Sequence, residues 1–598
     1  MKIFFDKGEK CKYWTEEEYK QKKQLSKMIM EDIKSYFDKI EENNVTKIYK
    51  ECDPILSNDF LTLFFRFKVY ERIPKERIEE IIDKLEMSPN IVLSYKPFVE
   101  YFSLEIKQQL MKPEFGAEFF AEYYLEEKDQ KKKQYFPIEL TKEDIYKTVE
   151  TYINYGNVNP NVLNLIINSK SMDSKKFLTD DKLRYRAKKR YEKYWEEQAD
   201  FSVKSDRGIS VSFAPDNPDI SVEYVKNDIV VQYNFLWIKE NLDYPTLLNN
   251  FIYLFQYVDI EMRCMLTSAT IEGTVIERLL TVRGNGTYND NGTFKYVNML
   301  SNVQMLSYID ILKKFNIYLE DICKWFFEEY LKNEFGVNGF ICNFPSRDMP
   351  ILEKCKLLAS AMDGVLKQYK MFVEDNEIDR GLYEMSSVPI AYKDIPSFIK
   401  YKYAYLKDEK LSREMNLLLS DQSMLSYTEK TRSRYKNLAK LLLNEKLKKE
   451  CFYDYQLVEL EWLIERESLY EENGFIKVNL ERANILYQFY KNKYICLRYF
   501  ESKLLKKMID NREVQVSSKL LSKPEVQYID YILNKREFSN GLDLRNKYIH
   551  DSISKDETRQ NYDYAILVKI MIILIIKINE EFCLRDDCIG TNSDFYGL

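Results

Sequence analysis

Histidine occurs once in the 598 residues, at His550, and it ends the string Arg545-Asn546-Lys547-Tyr548-Ile549-His550. Imidazole is the only side chain whose unperturbed pKa, about 6.5, lets it exchange protons near neutral pH, so any histidine acid–base chemistry in this chain belongs to His550. On a helix, Asn546 and His550 are four residues apart and share a face. Arg545 starts about 140° away from His550, but its long side chain can swing back near a helix start that Gly541 frees. The group offers a titratable ring, a permanent planar cation that matches phosphate oxygens, and an amide that can orient either. Those parts suffice to cleave a phosphodiester without a metal. One group deprotonates a ribose 2′-OH, another protonates the leaving 5′-oxygen, and a cation stabilises charge on the phosphoryl oxygens. A single histidine does not readily act as both base and acid in one turnover, whereas two copies related by a two-fold axis can.

The string, with Gly541-Leu542-Asp543-Leu544 before it and a long apolar helix after it, resembles the R-N-x-x-x-H signature of HEPN-domain ribonucleases. The resemblance covers about residues 430–598. It implies a small all-helical bundle that dimerises so that two motifs share one cleft, metal-independent RNA cleavage, and 2′,3′-cyclic phosphate products. Carried onto this chain, it assigns catalysis to Arg545, Asn546 and His550, with no cofactor and no metal. A large variable region ahead of a terminal HEPN domain resembles the single-chain, ApeA-like architecture of phage defence. That similarity implies a cytoplasmic abortive-infection toxin that acts on RNA, tRNA among the candidates, after a phage-derived trigger reaches the N-terminal region. HEPN toxins controlled by AMPylation carry a tyrosine two positions after the histidine, and Ser552 stands there in this chain. The alternative class is a binding or scaffold protein in which His550 is structural and the helical domain dimerises or holds RNA without cutting it.

Weaker RNA-contact signals lie elsewhere. Arg184, Arg186, Lys188, Lys189 and Arg190 interleave with Tyr185, Tyr191, Tyr194 and Trp195, the mixture found on RNA-contacting helices, although a solvated basic face with aromatics packed inward reads equally well. Arg432, Arg434 and Lys547 could line the same cleft as the motif. Gly284 to Gly292 matches neither a phosphate-binding loop nor a dinucleotide fingerprint and reads as a loop. No G-x-S-x-G is present, and Glu461 with Glu465 is background among 96 acidic residues.

Composition sets the frame for these groups. The chain is 45% hydrophobic and 31% charged, with 47 Tyr and 35 Phe against 16 Gly and 15 Pro, which points to ordered, helix-rich domains. The net charge of −6 means that any nucleic-acid contact must be a local patch. The ten cysteines include no C-x-x-C pair, so zinc is not expected. The N-terminus turns polar too soon for a signal peptide. The most apolar stretch, Tyr564 to Ile578, carries Lys569 and Lys577 and is shorter than the ~20 residues that span a bilayer, so it reads as a buried helix.

The elements that must position the motif follow from patterning. The spacing predicts a multidomain α+β chain: an N-terminal α+β domain over 1–200, a β-containing domain over 201–345, a helical connector over 346–426 and an all-α C-terminal domain over 427–598. Capping boxes at Thr15–Glu18 and Thr141–Asp144 open helices. Strands are expected at 60–67 and 91–95, with a helix near 75–85 between them, and again at 209–213, 220–224 and 229–233. A helix is expected over 244–257, and long amphipathic helices over 427–449, 455–471, 479–511 and 562–582. The last of these is more apolar than one solvated bundle face requires, which places the expected dimer interface near 564–578.

Overall fold

The computed structural model describes residues 14–127, 131–170, 177, 179–197, 208–214, 220–225, 228–271, 283–385, 390–428, 431, 435–549 and 556–590. These residues form a mixed α and β structure, mostly helical with small sheets. They divide into two compact units, Met1–Ser202 with Val282–Thr287, and Val203–Thr281 with Tyr288–Leu598.

The first unit is helical. Helix α1 (Glu16–Phe37) starts where Thr15 Oγ1 accepts from Glu18 N at 3.2 Å and the Glu18 carboxylate accepts from Thr15 N at 2.8 Å. A second reciprocal cap, between Thr141 and Asp144, opens α5 (Lys142–Ile153) and satisfies two backbone donors in the same way. The strand expected over 60–67 is instead α2 (Ser57–Arg66). Its buried residues Phe60, Leu61, Phe64 and Phe65 are two i,i+4 pairs. The apolar run therefore draws a stripe down a helix as well as a loose alternation, and contact of Phe60 with Phe37 and of Phe65 with Phe98 selects the helix. The strand expected at 91–95 is replaced by a helical turn, Pro89–Val92, begun by a proline at a position where no N–H is needed. Among the described residues this unit has no strand beyond the isolated bridge Glu126–Gly284, so the expected α+β character is absent from it. Helices α3 (Lys96–Tyr101), α4 (Glu118–Leu125) and α6 (Asp181–Glu197) complete the parts used below.

The second unit opens with the three expected strands, β1 (Ile209–Ala214), β2 (Ser221–Val225) and β3 (Asp228–Asn234). Their order is β1-β3-β2, with β1 parallel and β2 antiparallel to β3, and Val211 and Val222 both register on Val231. The sheet packs on α7 (Gly292–Lys314): Ser307 Oγ donates to Val211 O at 3.0 Å and Gln304 Nε2 to the Tyr233 hydroxyl at 2.6 Å.

One apolar core runs from Val231 through Tyr308 and Leu358 to Ile572, crossing the divisions expected at 345 and 426. Its axis is α11 (Glu557–Gly590), surrounded by α7, α8 (Ile351–Asp375) and α9 (Lys523–Leu533). Every residue from Tyr564 to Ile578 is buried. The apolar surplus that suggested a dimer interface is therefore consumed within one chain, and 564–578 offers no surface to a partner. No helix among the described residues is long and apolar enough to cross a membrane.

A separate core gathers residues between Ala404 and Val514. Here the expected all-α domain contains strands. β4 (Tyr403–Leu406) lies between β7 (Tyr494–Cys496) and β8 (Val514–Ser517), and β5 (Leu469–Glu472) pairs with β6 (Phe475–Val478). Asn473 and Gly474 join β5 to β6 with φ of 54° and 78°, the double positive φ that a type I′ hairpin demands. The expected helices shrink accordingly, to Leu438–Asn444, Asp454–Glu465 and the pair Leu480–Asn492 and Lys503–Asp510 on either side of β7.

Candidate active site

Arg545, Asn546 and Lys547 lie on α10 (Leu544–Ile549), a six-residue helix in which Leu544 and Tyr548, one turn apart, are buried. The chain enters it through Gly541, where a Cβ would stand 3.0 Å from both Tyr531 O and Asn534 O. The close approach of these carbonyls favours glycine there, while Asp543 takes the left-handed backbone, φ 56°. Leu542 N donates to Tyr531 O at 2.8 Å, so the entrance is pinned to the end of α9.

Arg545, Asn546 and Lys547, the described polar side chains of the motif, each have a definite partner. Arg545 Nη2 is ion-paired with the Asp363 carboxylate on α8, and the two side chains are only 18% and 15% exposed. The Tyr392 hydroxyl donates to the other oxygen of Asp363 over a long 3.5 Å. Burial raises the Asp363 carboxyl above its ordinary range, against the opposing pull of Arg545 and Lys367. Burial likewise pushes the Tyr392 phenol up, so it stays a neutral donor. Asn546 is exposed, and its amide donates to Asp543 Oδ1 at 2.7 Å. Lys547 is ion-paired with Asp563 in the first turns of α11, and the same carboxylate oxygen accepts the Tyr548 hydroxyl at 2.9 Å. Arg559 Nε stands 3.6 Å from the other oxygen of Asp563. Cys355, beside Tyr548, has its thiol pushed up to about 12 by burial, which leaves no thiolate for nucleophilic chemistry.

The structure thus places Arg545 and Asn546 on one short helix but directs them to different carboxylates. His550, Arg432 and Arg434 lie outside the described residues. Lys547, expected to face RNA, is neutralised by Asp563. On α6, in the first unit, Arg184 pairs with Asp181, Arg186 with Glu150, Lys189 with Glu192 at 3.1 Å and Arg190 with Glu197 at 3.2 Å. Lys188 and Tyr185 are exposed on the same helix, whereas Leu183 and Ala187 are buried, so the aromatic side does not face inward as a whole. Among the described residues no group of three His, Cys, Asp or Glu is arranged to hold a metal ion.

Sequence reasoning missed Asp363 and Asp563. Asp563 had a signal: an acid next to the longest apolar run is buried when that run is buried and must then find a cation or donor. Asp363 had none, because its partner lies 182 residues away.

Two further polar clusters sit on α11. Lys402 and Lys577 meet Glu525, Glu580 and Glu581 in the interior, with Lys402 Nζ 2.6 Å from Glu581 and Lys577 Nζ 3.0 Å from Glu580. Lys569 has no carboxylate within the bonds it makes. Its amine donates to Asn302 Oδ1 at 2.6 Å, Ser301 Oγ at 2.9 Å and Asn298 Oδ1 at 3.4 Å, and burial lowers its pKa to about 7.

Comparison of the chain with protein-family models, with curated proteins and with solved structures finds no match.

Proposed function

We propose that the chain is a metal-independent endoribonuclease of the HEPN type, an effector of bacterial anti-phage defence that acts as a homodimer. The observation that carries this reading is the string Arg545-Asn546-x-x-x-His550, which holds the chain's one histidine. In it, His550 of one copy removes the proton from a ribose 2′-OH while His550 of the other protonates the leaving 5′-oxygen, giving a 2′,3′-cyclic phosphate. Arg545 stabilises the charge on the phosphoryl oxygens, and Asn546 orients the reacting groups. Asp363 holds the guanidinium in place until a phosphodiester competes for it. The residues ahead of 427 carry the response to the trigger. Incubation of wild-type protein with total RNA or tRNA in EDTA tests this: cleavage that persists in EDTA and disappears in His550→Ala supports it, and a strict Mg²⁺ requirement overturns it.

The two ion pairs favour a second reading. Arg545 and Lys547 are each matched to a buried or part-buried carboxylate, the arrangement of a helix anchored in a scaffold that binds RNA or dimerises without cutting. Absence of cleavage by a folded dimer of the wild-type chain under all activating conditions would select it.

A further inference from the structure

We propose that the first unit carries a binding site for a nucleotide, in a cleft formed by α3, the segment 134–141, Tyr124 of α4 and the first turn of α5. The cleft has a volume of about 570 Å³, within the roughly 300–1,000 Å³ of small-molecule sites. The inference is independent of the ribonuclease reading, since none of its residues belongs to the motif.

Three features of the lining point to this ligand class. The walls are aromatic and apolar: Tyr124, Tyr135 and Phe136 line the cleft together with Val99, Leu140 and Ile145, and the Tyr124 and Phe136 rings are stacked at 6.1 Å and 22°. Such ring faces accept a base of any identity. The rim is basic. Lys96 and Lys142 line it against one carboxylate, Glu100, which Lys96 already meets at 3.3 Å. Exposed Lys131, Lys132 and Lys133 lead into the lining segment, with Lys133 Nζ 5.3 Å from the Tyr135 ring centre. The third feature is an orphaned amide. Gln134 Oε1 is buried without a hydrogen-bond partner, and its Nε2 reaches Asn90 Oδ1 only at 3.5 Å. A ligand N–H that draws this side chain into the cleft satisfies an acceptor that has no partner within the chain.

A planar heterocycle with N–H groups and an attached phosphate uses all three features. A purely apolar ligand leaves the lysines and Gln134 unused, and a bare anion leaves the rings unused. The same chemistry is available from a free nucleotide or from one residue of a single-stranded RNA.

Titration calorimetry on the full-length chain tests the site, with AMP, GMP, CMP, UMP, adenosine and inorganic phosphate as separate probes. A five-nucleotide RNA is titrated into His550→Ala protein so that it stays intact. The expected result is saturation at one site per chain by at least one mononucleotide, with Kd below about 1 mM. Tyr135→Leu and Lys142→Gln should each weaken it by about tenfold or more. Binding by mononucleotides identifies the free ligand, and binding by the oligonucleotide alone, lost in both variants, identifies RNA. Lys142 is exposed, so Lys142→Gln decides by itself if Tyr135→Leu melts early. No saturable binding of any probe, affinity unchanged in Lys142→Gln, or phosphate binding as tightly as the best nucleotide overturns the proposal.

Discussion

The Tyr548 hydroxyl donates to Asp563 across 2.9 Å, and this bond ties the short helix of the motif to the start of the long buried helix that organises the second unit. Asp563 is 2% exposed and also receives the Lys547 ammonium. One carboxylate thus holds two neighbours on the motif's short helix.

Removing that carboxylate should loosen the motif. Asp563→Ala leaves a part-buried ammonium and a buried hydroxyl without their acceptor, and breaking a pair of this kind costs about 3–5 kcal/mol. Tyr548→Phe removes one hydrogen bond and should cost about 1 kcal/mol. Urea denaturation should rank the variants in that order. Equal midpoints for Asp563→Ala and wild type would contradict the anchoring role.

Arg545→Ala is expected to lose cleavage and also some stability, because it strands Asp363 in a largely buried place. A guanidinium 18% exposed and paired with Asp363 is held by the fold as well as offered to a substrate. The double variant Arg545→Ala/Asp363→Asn should recover stability and remain inactive under the proposed mechanism. The pH dependence has a definite sign. Asp363 has a raised pKa in the folded state, so its ionisation opposes folding as pH rises above the unfolded carboxylate value toward and through the folded one. Without Arg545 that opposition grows, and the deficit of Arg545→Ala should shrink as pH falls from neutrality toward 5. Denaturation midpoints across that range measure it.

Lys569 should make stability depend on pH near and above neutrality. Its folded pKa, about 7, lies below the unfolded value of 10.5, so the folded state disfavours the bound proton. The protein should gain stability as pH rises from about 7 toward 10, and show no further pH dependence from this group well below 7, where its penalty is full. Lys569→Met removes the dependence and should raise stability at pH 7 by on the order of a few kcal/mol, less what Asn298, Ser301 and Asn302 lose as acceptors. Parallel denaturation curves for the two proteins at pH 6 and pH 9 would refute this.

Dimerisation, if the composite site is correct, must use a surface other than 564–578. Ile572→Lys places a charge at a fully buried position and should unfold the second unit instead of releasing intact monomers. Sedimentation together with circular dichroism separates the two outcomes. In mixtures, excess His550→Ala chains should depress wild-type cleavage more than dilution does. Activity strictly proportional to wild-type chains, under conditions where subunits exchange, would rule out the shared site.

Local chemistry decided what the sequence by itself could determine. The capping boxes at Thr15 and Thr141, the strands at 209–213, 220–224 and 229–233, and the burial of Tyr564–Ile578 are set by neighbours a few residues apart. The Asn473-Gly474 hairpin belongs with them, a two-residue turn signal that is easily passed over within a helical-looking stretch. Tertiary structure alone decided the rest. Phe60–Phe67 satisfies both periods, and only burial on Phe37 and Phe98 makes it helix. Strands β4, β7 and β8 are three or four residues each, and β4 finds β7 across about ninety residues and β8 across about one hundred and ten, pairings with no local signature. The candidate site divides in the same way. The types and spacing of Arg545, Asn546 and His550 are sequence facts, whereas the partners of Arg545 and Lys547, Asp363 and Asp563, exist only because α8 and α11 are packed around one core. A carboxylate remote in sequence comes within reach of a guanidinium when burial leaves both no better partner, and that condition is a property of the folded interior.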